Sequence, residues 1–214
     1  MLDGGAPAIN AAGKDVIVIG GGDTGNDCIG TAVRQGAKSV RQFEFMPAAP
    51  DKPAASNAWP QWPNVKKTDY GQAEAIQMMG SEMREWGIDT LRILLDEEGQ
   101  VRALDAVDLD WSQGKPRRLD ETERRYPAQL VLIACGFTGP LAEVFSAFDV
   151  PMATEGRPLP QMVCGCSHKV KRTGDVEGAT VYAAGDARCG SSLVVSAIAD
   201  ALACAAEVSD ELGL

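Results

Sequence analysis

Three glycines at G-x-G-x-x-G spacing, Gly20, Gly22 and Gly25, carry the most specific chemistry in this chain of 214 residues. The apolar run 16–19 precedes them, and helix-forming residues follow from Thr24. A strand, a glycine turn and a helix start in that order seat the pyrophosphate of a dinucleotide. Gly20 permits the tight turn out of the strand. Gly22 keeps a Cβ out of the path of the phosphates, and Gly25 lets the helix pack close to the sheet. Free N–H groups and a partial positive charge at the helix start then face the anion. Gly21, Asp23 and Thr24 complete the turn and belong to the same candidate site. Asp23 is also placed to cap the helix, and Asp27 reads as a structural first-turn acid.

The strand after this helix decides which dinucleotide fits. Residues 39–45, SVRQFEF, alternate in polarity, and Glu44 stands 19 residues after Gly25. An acid there accepts hydrogen bonds from a ribose 2′-OH and repels a 2′-phosphate, whereas arginines do the reverse. A solvated strand-end charge is the alternative role for Glu44. Arg41 and Lys52 remain as phosphate partners, so the balance tilts to NADH over NADPH without closing the question. Arg34 and Arg84 are further candidates for phosphate, with surface salt bridges the favoured role for both.

A second constellation lies near the C-terminus, in VYAAGDARCGSSLVVSAIADAL. A buried strand at residues 180–184 runs into Gly185 and Asp186, and a Gly/Ser turn opens a helix over residues 193–212. An acid at the carboxyl end of a strand can accept hydrogen bonds from sugar or ribityl hydroxyls. It can equally be a turn residue and helix cap. His168, the only histidine, sits in an irregular segment and is a poor general acid or base. A bound dinucleotide carries its own chemistry, so no catalytic side chain is expected.

The elements that position these residues follow from pattern. Residues 14–19 form a first strand, 24–35 a helix ended by Gly36, and 39–45 a second parallel strand, a β-α-β unit. Five prolines between residues 46 and 68 forbid regular structure there, and Trp59 and Trp62 are expected to anchor this loop to the domain. Residues 69–86 read as a helix. Residues 90–95, 101–111 and 117–124 read as antiparallel strands, 129–135 as an apolar strand ending at Gly136, and 141–148 as a short helix.

Composition narrows the function classes. A formal charge of −10 argues against nucleic acid as a partner, and no run of 18 uncharged apolar residues exists to span a membrane. The opening residues lack a secretory pattern. Six cysteines, several inside apolar runs such as LVLIAC, point to reduced, buried thiols and a cytoplasmic protein. Cys164, Cys166 and His168 form C-x-C-x-H but lack a fourth ligand, so no metal is expected.

The segments KDVIVIGGGDTGNDCIGTAVRQGAKSV, NAWPQWPNVKKTDYGQAEA, LVLIACGF and VYAAGDARCGSSLVVSAIADA resemble the small (beta) subunit of bacterial glutamate synthase and the matching part of single-chain eukaryotic forms. The resemblance runs from about residue 13 to 212. It implies an α/β fold of the pyridine-nucleotide–disulfide-oxidoreductase type. Residues 14–137 would be a Rossmann-like three-layer β-β-α nicotinamide-binding domain after a linker at 1–13. Residues 138–214 would be the C-terminal portion of a split FAD-binding domain. It implies NADH or NADPH and FAD as cofactors, with Gly136, Gly185, Asp186, Ser192, Leu193 and Val194 among the cofactor contacts. Many NADPH-using members carry an arginine pair where this chain has Phe45 and Met46. The family's N-terminal iron–sulfur region and first FAD glycine turn have no counterpart here. The chain therefore reads as part of a longer subunit, with weak or no FAD binding alone and a large (alpha) subunit as partner. A ferredoxin:NAD(P) reductase-like electron-transfer subunit and a non-catalytic NAD(P)-binding module are the competing readings.

Overall fold

A computed structural model of the chain describes residues 8–57, 59–60, 64–151, 168–170 and 180–214. Two compact units meet at Gly136 and Phe137 in sequence.

The first unit begins with β1 (Asp15–Ile19), α1 (Asp23–Arg34) and β2 (Ser39–Glu44), followed by α2 (Tyr70–Met79) and the short β3 (Arg84–Trp86). Then come β4 (Ile88–Leu95), β5 (Val101–Asp110), β6 (Arg117–Pro127) and β7 (Leu130–Ile133). Strands β3-β2-β1-β7 form a parallel sheet, and β4-β5-β6 an antiparallel one. Alternation along β1 explains the layering. Val16 and Val18 point to the helices and pack with Ile29, Ala32 and Ala75. Ile17 points the other way, with Phe43, and meets Ile88, Leu104, Ala106 and Tyr126 of the antiparallel sheet. The result is the expected three-layer β-β-α arrangement.

The largest difference in an element's bounds is at α2. The helical pattern over 69–86 stops at Met79, because Gly80 takes a left-handed conformation (φ 71°) and its N–H closes the helix on Ile76 O. Residues 84–86 instead pair with β2 as a parallel edge strand. The start of α2 is a capping box: Asp69 accepts from Tyr70 N, while Gln72 accepts from Asp69 N at 3.0 Å. Arg84 is buried, against the expected surface ion pair. It donates to Glu82, to the Lys67 carbonyl at 2.6 Å and to Thr68 Oγ1 at 3.0 Å. Trp59 is 92% exposed, against the anchoring role expected of it, and Trp62 lies outside the described residues.

The antiparallel sheet is tied across all three strands by one buried carboxylate. Asp105 on β5 stands opposite Arg92 and Arg125 in register. It accepts from Arg92 Nε at 2.8 Å and from Arg125 Nε at 2.7 Å. These bonds, Arg125 foremost, hold its pKa down at about 2 from an ordinary 3.8. The unfolded chain takes up this proton near pH 3.8 and the folded chain only near 2. The stabilisation is therefore complete above about pH 3.8 and fades as the pH falls toward 2. Urea titrations of Asp105→Asn should show a deficit at pH 7 that narrows between pH 4 and pH 2. A deficit of constant size would show that the charge of Asp105 contributes nothing.

The second unit holds α3 (Ala142–Ser146), α4 (Asp186–Cys189) and α5 (Val194–Leu212). Phe145, Val150 and Val170 form its small core with Val181, Ala183 and Ala187. Residues 180–184 do not form the expected buried strand. They are half-buried to exposed, and their pairing among the described residues is a single bridge, Lys169 to Tyr182. Polar groups hold α5 in place. Asp200 accepts from Gly185 N at 2.7 Å and pairs with Arg188, which with the other bonds to Asp200 holds this carboxyl far below its usual range. Glu207 accepts from His168 N at 2.8 Å and lies 2.8 Å from His168 Nδ1.

Candidate functional site: a cleft at the carboxyl edge of the parallel sheet

The carboxyl ends of β1, β2 and β7 open into one cleft of about 900 Å³. It lies where strand order reverses, with β2 on one side of β1 and β7 on the other, the usual ligand position in an open α/β sheet. Gly20, Gly21, Gly22, Asp23, Thr24, Glu44 and Gly136 all line it.

The turn is built as its glycines require. Gly20 has φ +115°, and a Cβ there would lie 2.7 Å from the carbonyl carbon of Ala134 in the adjoining chain after β7. Its N–H donates to Phe43 O at 2.9 Å, and its carbonyl accepts from Gln42 Nε2 at 2.8 Å. Gly25 does not line the cleft. It faces back onto the Gly20 carbonyl, which a Cβ would overlap, so its contribution is helix placement. Gly22 caps α1 with extended geometry, and nothing lies within 4 Å of where its Cβ would be. No side chain caps α1. Asp23 is therefore a first-turn residue rather than the cap, and the helix start is left to an incoming anion.

Glu44 lies against the turn itself. A Cβ on Gly21 would collide with its carboxylate, a demand on Gly21 that spacing alone did not show. Burial pushes the Glu44 pKa up, opposed by the charge of Arg84. Arg41 is not part of the cleft. It pairs with Glu85 at 2.8 Å and lies over the Tyr126 ring at 5.6 Å. Arg34 is likewise on the surface, paired with Glu74. Among the described residues no lysine or arginine lines the cleft, while Asp23, Glu44 and Asp89 do.

Sequence pattern missed much of the apolar wall: Phe43, Phe45, Met46, Ile88, Ile93 and Ile133. The signal was the strand ends themselves, since residues that leave parallel strands at one edge must share a cleft. Cys135 also lines it and is exposed, as is Cys189, which corrects the expectation of buried thiols. Cys164 and Cys166 lie outside the described residues. Among those described, no cluster of metal-ligating side chains occurs, and no helix is long and apolar enough to cross a membrane.

In the second unit the Asp186 carboxylate faces its own loop, 3.2 Å from Ser192 N and 3.3 Å from Ser192 Oγ, the turn role of the two alternatives. Gly185 precedes α4 at φ +64°. Leu193 begins α5 without a side-chain cap, and Leu193 and Val194 are both exposed. Asp186 also lines a small pocket of this unit with Phe137, Thr138, Gly139 and Pro140.

No family model matches the chain. Over 206 residues it is 41% identical to "Glutamate synthase [NADH]" of Schizosaccharomyces pombe, covering 94% of this chain and 9% of that protein. Over 205 residues it is 39% identical to "Glutamate synthase [NADPH] small chain" of Bacillus subtilis, covering 94% of this chain and 40% of the other. The chain thus spans well under half the length of these relatives. Among solved structures, Mycobacterium tuberculosis FprA in complex with NADPH superposes with a TM-score of 0.61 at 13% identity, covering 95% of this chain and 54% of that one. Lactococcus lactis thioredoxin reductase gives 0.56 at 15%, covering 93% and 53%. The chain is a homologue of a segment of the glutamate synthase small chain, with the fold of the FprA and thioredoxin reductase oxidoreductases.

Proposed function

We propose that this chain is the electron-input module of a glutamate synthase. It binds NADH in the carboxyl-edge cleft and aligns it for hydride transfer to FAD held largely by another part of the longer protein. The electrons then serve glutamate formation from glutamine and 2-oxoglutarate on a large subunit or domain, in the cytoplasm. The bound dinucleotide supplies the hydride, and the chain's own residues do the holding. The α1 start and Gly22 take the pyrophosphate, and Glu44 accepts from the ribose hydroxyls. The apolar wall excludes water from the rings.

One observation carries the preference for NADH. The Glu44 carboxylate rests against Gly21 in a cleft lined by three acids and no described base. A 2′-phosphate would meet the like charge of Glu44 there. Nicotinamide fluorescence titrations of the full chain should therefore give tighter binding of NADH than of NADPH. In Glu44→Ala, NADH affinity should fall about tenfold, as expected for losing hydrogen bonds to a charged acceptor, and discrimination should narrow. Tighter binding of NADPH by the unaltered chain would overturn the assignment.

A further inference from the structure

Beyond Glu44 the chain continues along the cleft as Phe45 and Met46, both about half exposed. An aromatic ring and a thioether next to the ribose-binding acid make the kind of apolar, polarizable surface on which a purine face rests. This segment has left the parallel sheet, so the β2 ladder no longer fixes it. It is fixed from the antiparallel sheet instead.

Trp111 follows β5 directly. Its indole Nε1 donates to the Phe45 carbonyl at 3.1 Å. Its ring meets the Phe45 ring edge-on, with centroids 5.4 Å apart and an interplanar angle of 86°. The next carbonyl, that of Met46, accepts from Gly87 N at 3.0 Å, and Gly87 O accepts from Leu109 N at 2.6 Å. The end of β5 thus holds two successive carbonyls of the segment, one through a side chain and one through the backbone. Trp111 itself does not line the cleft.

We propose that Trp111 is a positioning residue for the adenosine half of the dinucleotide. Acting through Phe45, it keeps Phe45 and Met46 as a fixed apolar floor for the adenine and keeps Glu44 at the ribose. The preference for an unphosphorylated dinucleotide is then set partly from the antiparallel sheet. This rests on the reading of the cleft as a nicotinamide-dinucleotide site. A merely structural Trp111, anchoring the turn after β5, would weaken every ligand of the cleft alike. A positioning Trp111 splits the ligand into two halves.

The test is calorimetry on the full chain and on Trp111→Ala and Trp111→Phe with three probes: NADH, ADP-ribose and reduced nicotinamide mononucleotide. In Trp111→Ala, NADH and ADP-ribose should weaken by the same factor, about tenfold for one lost hydrogen bond and its ring contact. The mononucleotide should be unaffected. Trp111→Phe keeps a ring beside Phe45 without the donor, and should recover part of the loss, leaving about a threefold deficit on the same two probes. If the alanine variant does not fold, the phenylalanine variant carries the test alone. Equal losses on all three probes, or no loss on any, overturn the proposal and leave the dinucleotide reading intact. An unaltered chain that binds neither NADH nor ADP-ribose overturns both.

Discussion

Gly20→Ala is expected to remove dinucleotide binding while also weakening the fold. Two constraints converge on this residue. Its φ of +115° is a backbone conformation that L side chains rarely adopt, and a Cβ would press into the Ala134 carbonyl. The first constraint alone costs about 1–3 kcal/mol. The second can be relieved only by moving the turn or the end of β7, both of which are cleft walls. Strain of about 2.7 kcal/mol relieved by displacing the turn corresponds to about a 100-fold loss of affinity. Gly22→Ala is the informative contrast. Its φ of −78° suits any residue and its Cβ would meet nothing. Stability should stay within about 0.5 kcal/mol, as for an ordinary unstrained substitution, while NADH affinity falls because the methyl group occupies the anion's approach. Urea unfolding and nicotinamide fluorescence on both variants check this. Unchanged NADH binding in Gly20→Ala would show that the turn is not the seat of the phosphates.

Phe43→Ala is expected to be the most destabilising single truncation. Phe43 is 1% exposed and lies between the two sheets, edge-on to Tyr126 with centroids 4.7 Å apart. Removing a buried phenylalanine costs about 3–5 kcal/mol through lost burial and the cavity left behind. Tyr126 makes collapse of that cavity costly. Its hydroxyl donates to Glu85, and burial together with that carboxylate pushes its pKa up to about 12. The ring therefore cannot tilt inward without abandoning a polar network that also holds Arg41. Phe43 also lines the cleft, so the surviving folded fraction should bind NADH more weakly. A loss below about 1.5 kcal/mol, the range of a well-tolerated hydrophobic exchange, would mean the inter-sheet packing relaxes.

The first β-α-β unit was legible because its signals are local. Burial of β1 on both faces follows from the continuous apolar run 16–19, and the glycine turn is dictated residue by residue. The helical spacing from Asp69 located the start of α2 equally well, and the capping box there came to light only in the structure. The end of α2 was misjudged because Met83 and Trp86 continue the apolar spacing past Gly80, and a three-residue edge strand is too short to show a period of its own. Arg84 was read as a surface charge because burial is a property of the assembled sheet. Arg41 lies on the strand that ends in Glu44 yet faces Glu85 and Tyr126, since alternation sends neighbouring side chains to opposite faces. Trp59 shows the converse, an indole whose size promised packing that the described chain does not provide. Phe45, Met46 and Ile133 reach one cleft from distant parts of the sequence, and pairing at that range leaves no mark on composition.

The placement of β7 beside β1 has a bearing on how the molecule assembles. Ile19 pairs with Ile133, 114 residues onward, whereas the meander β4-β5-β6 and the β1–β2 pair close over much shorter stretches of chain. Long closures are entropically dearer and slower. The wall made by Ile133, Ala134 and Gly136 is therefore expected to arrive last. A ligand that requires this wall recognises only molecules in which it has docked, and by mass action it holds them in that state. A nucleotide seated in the cleft would thus act as a latch on the pairing of β1 with β7.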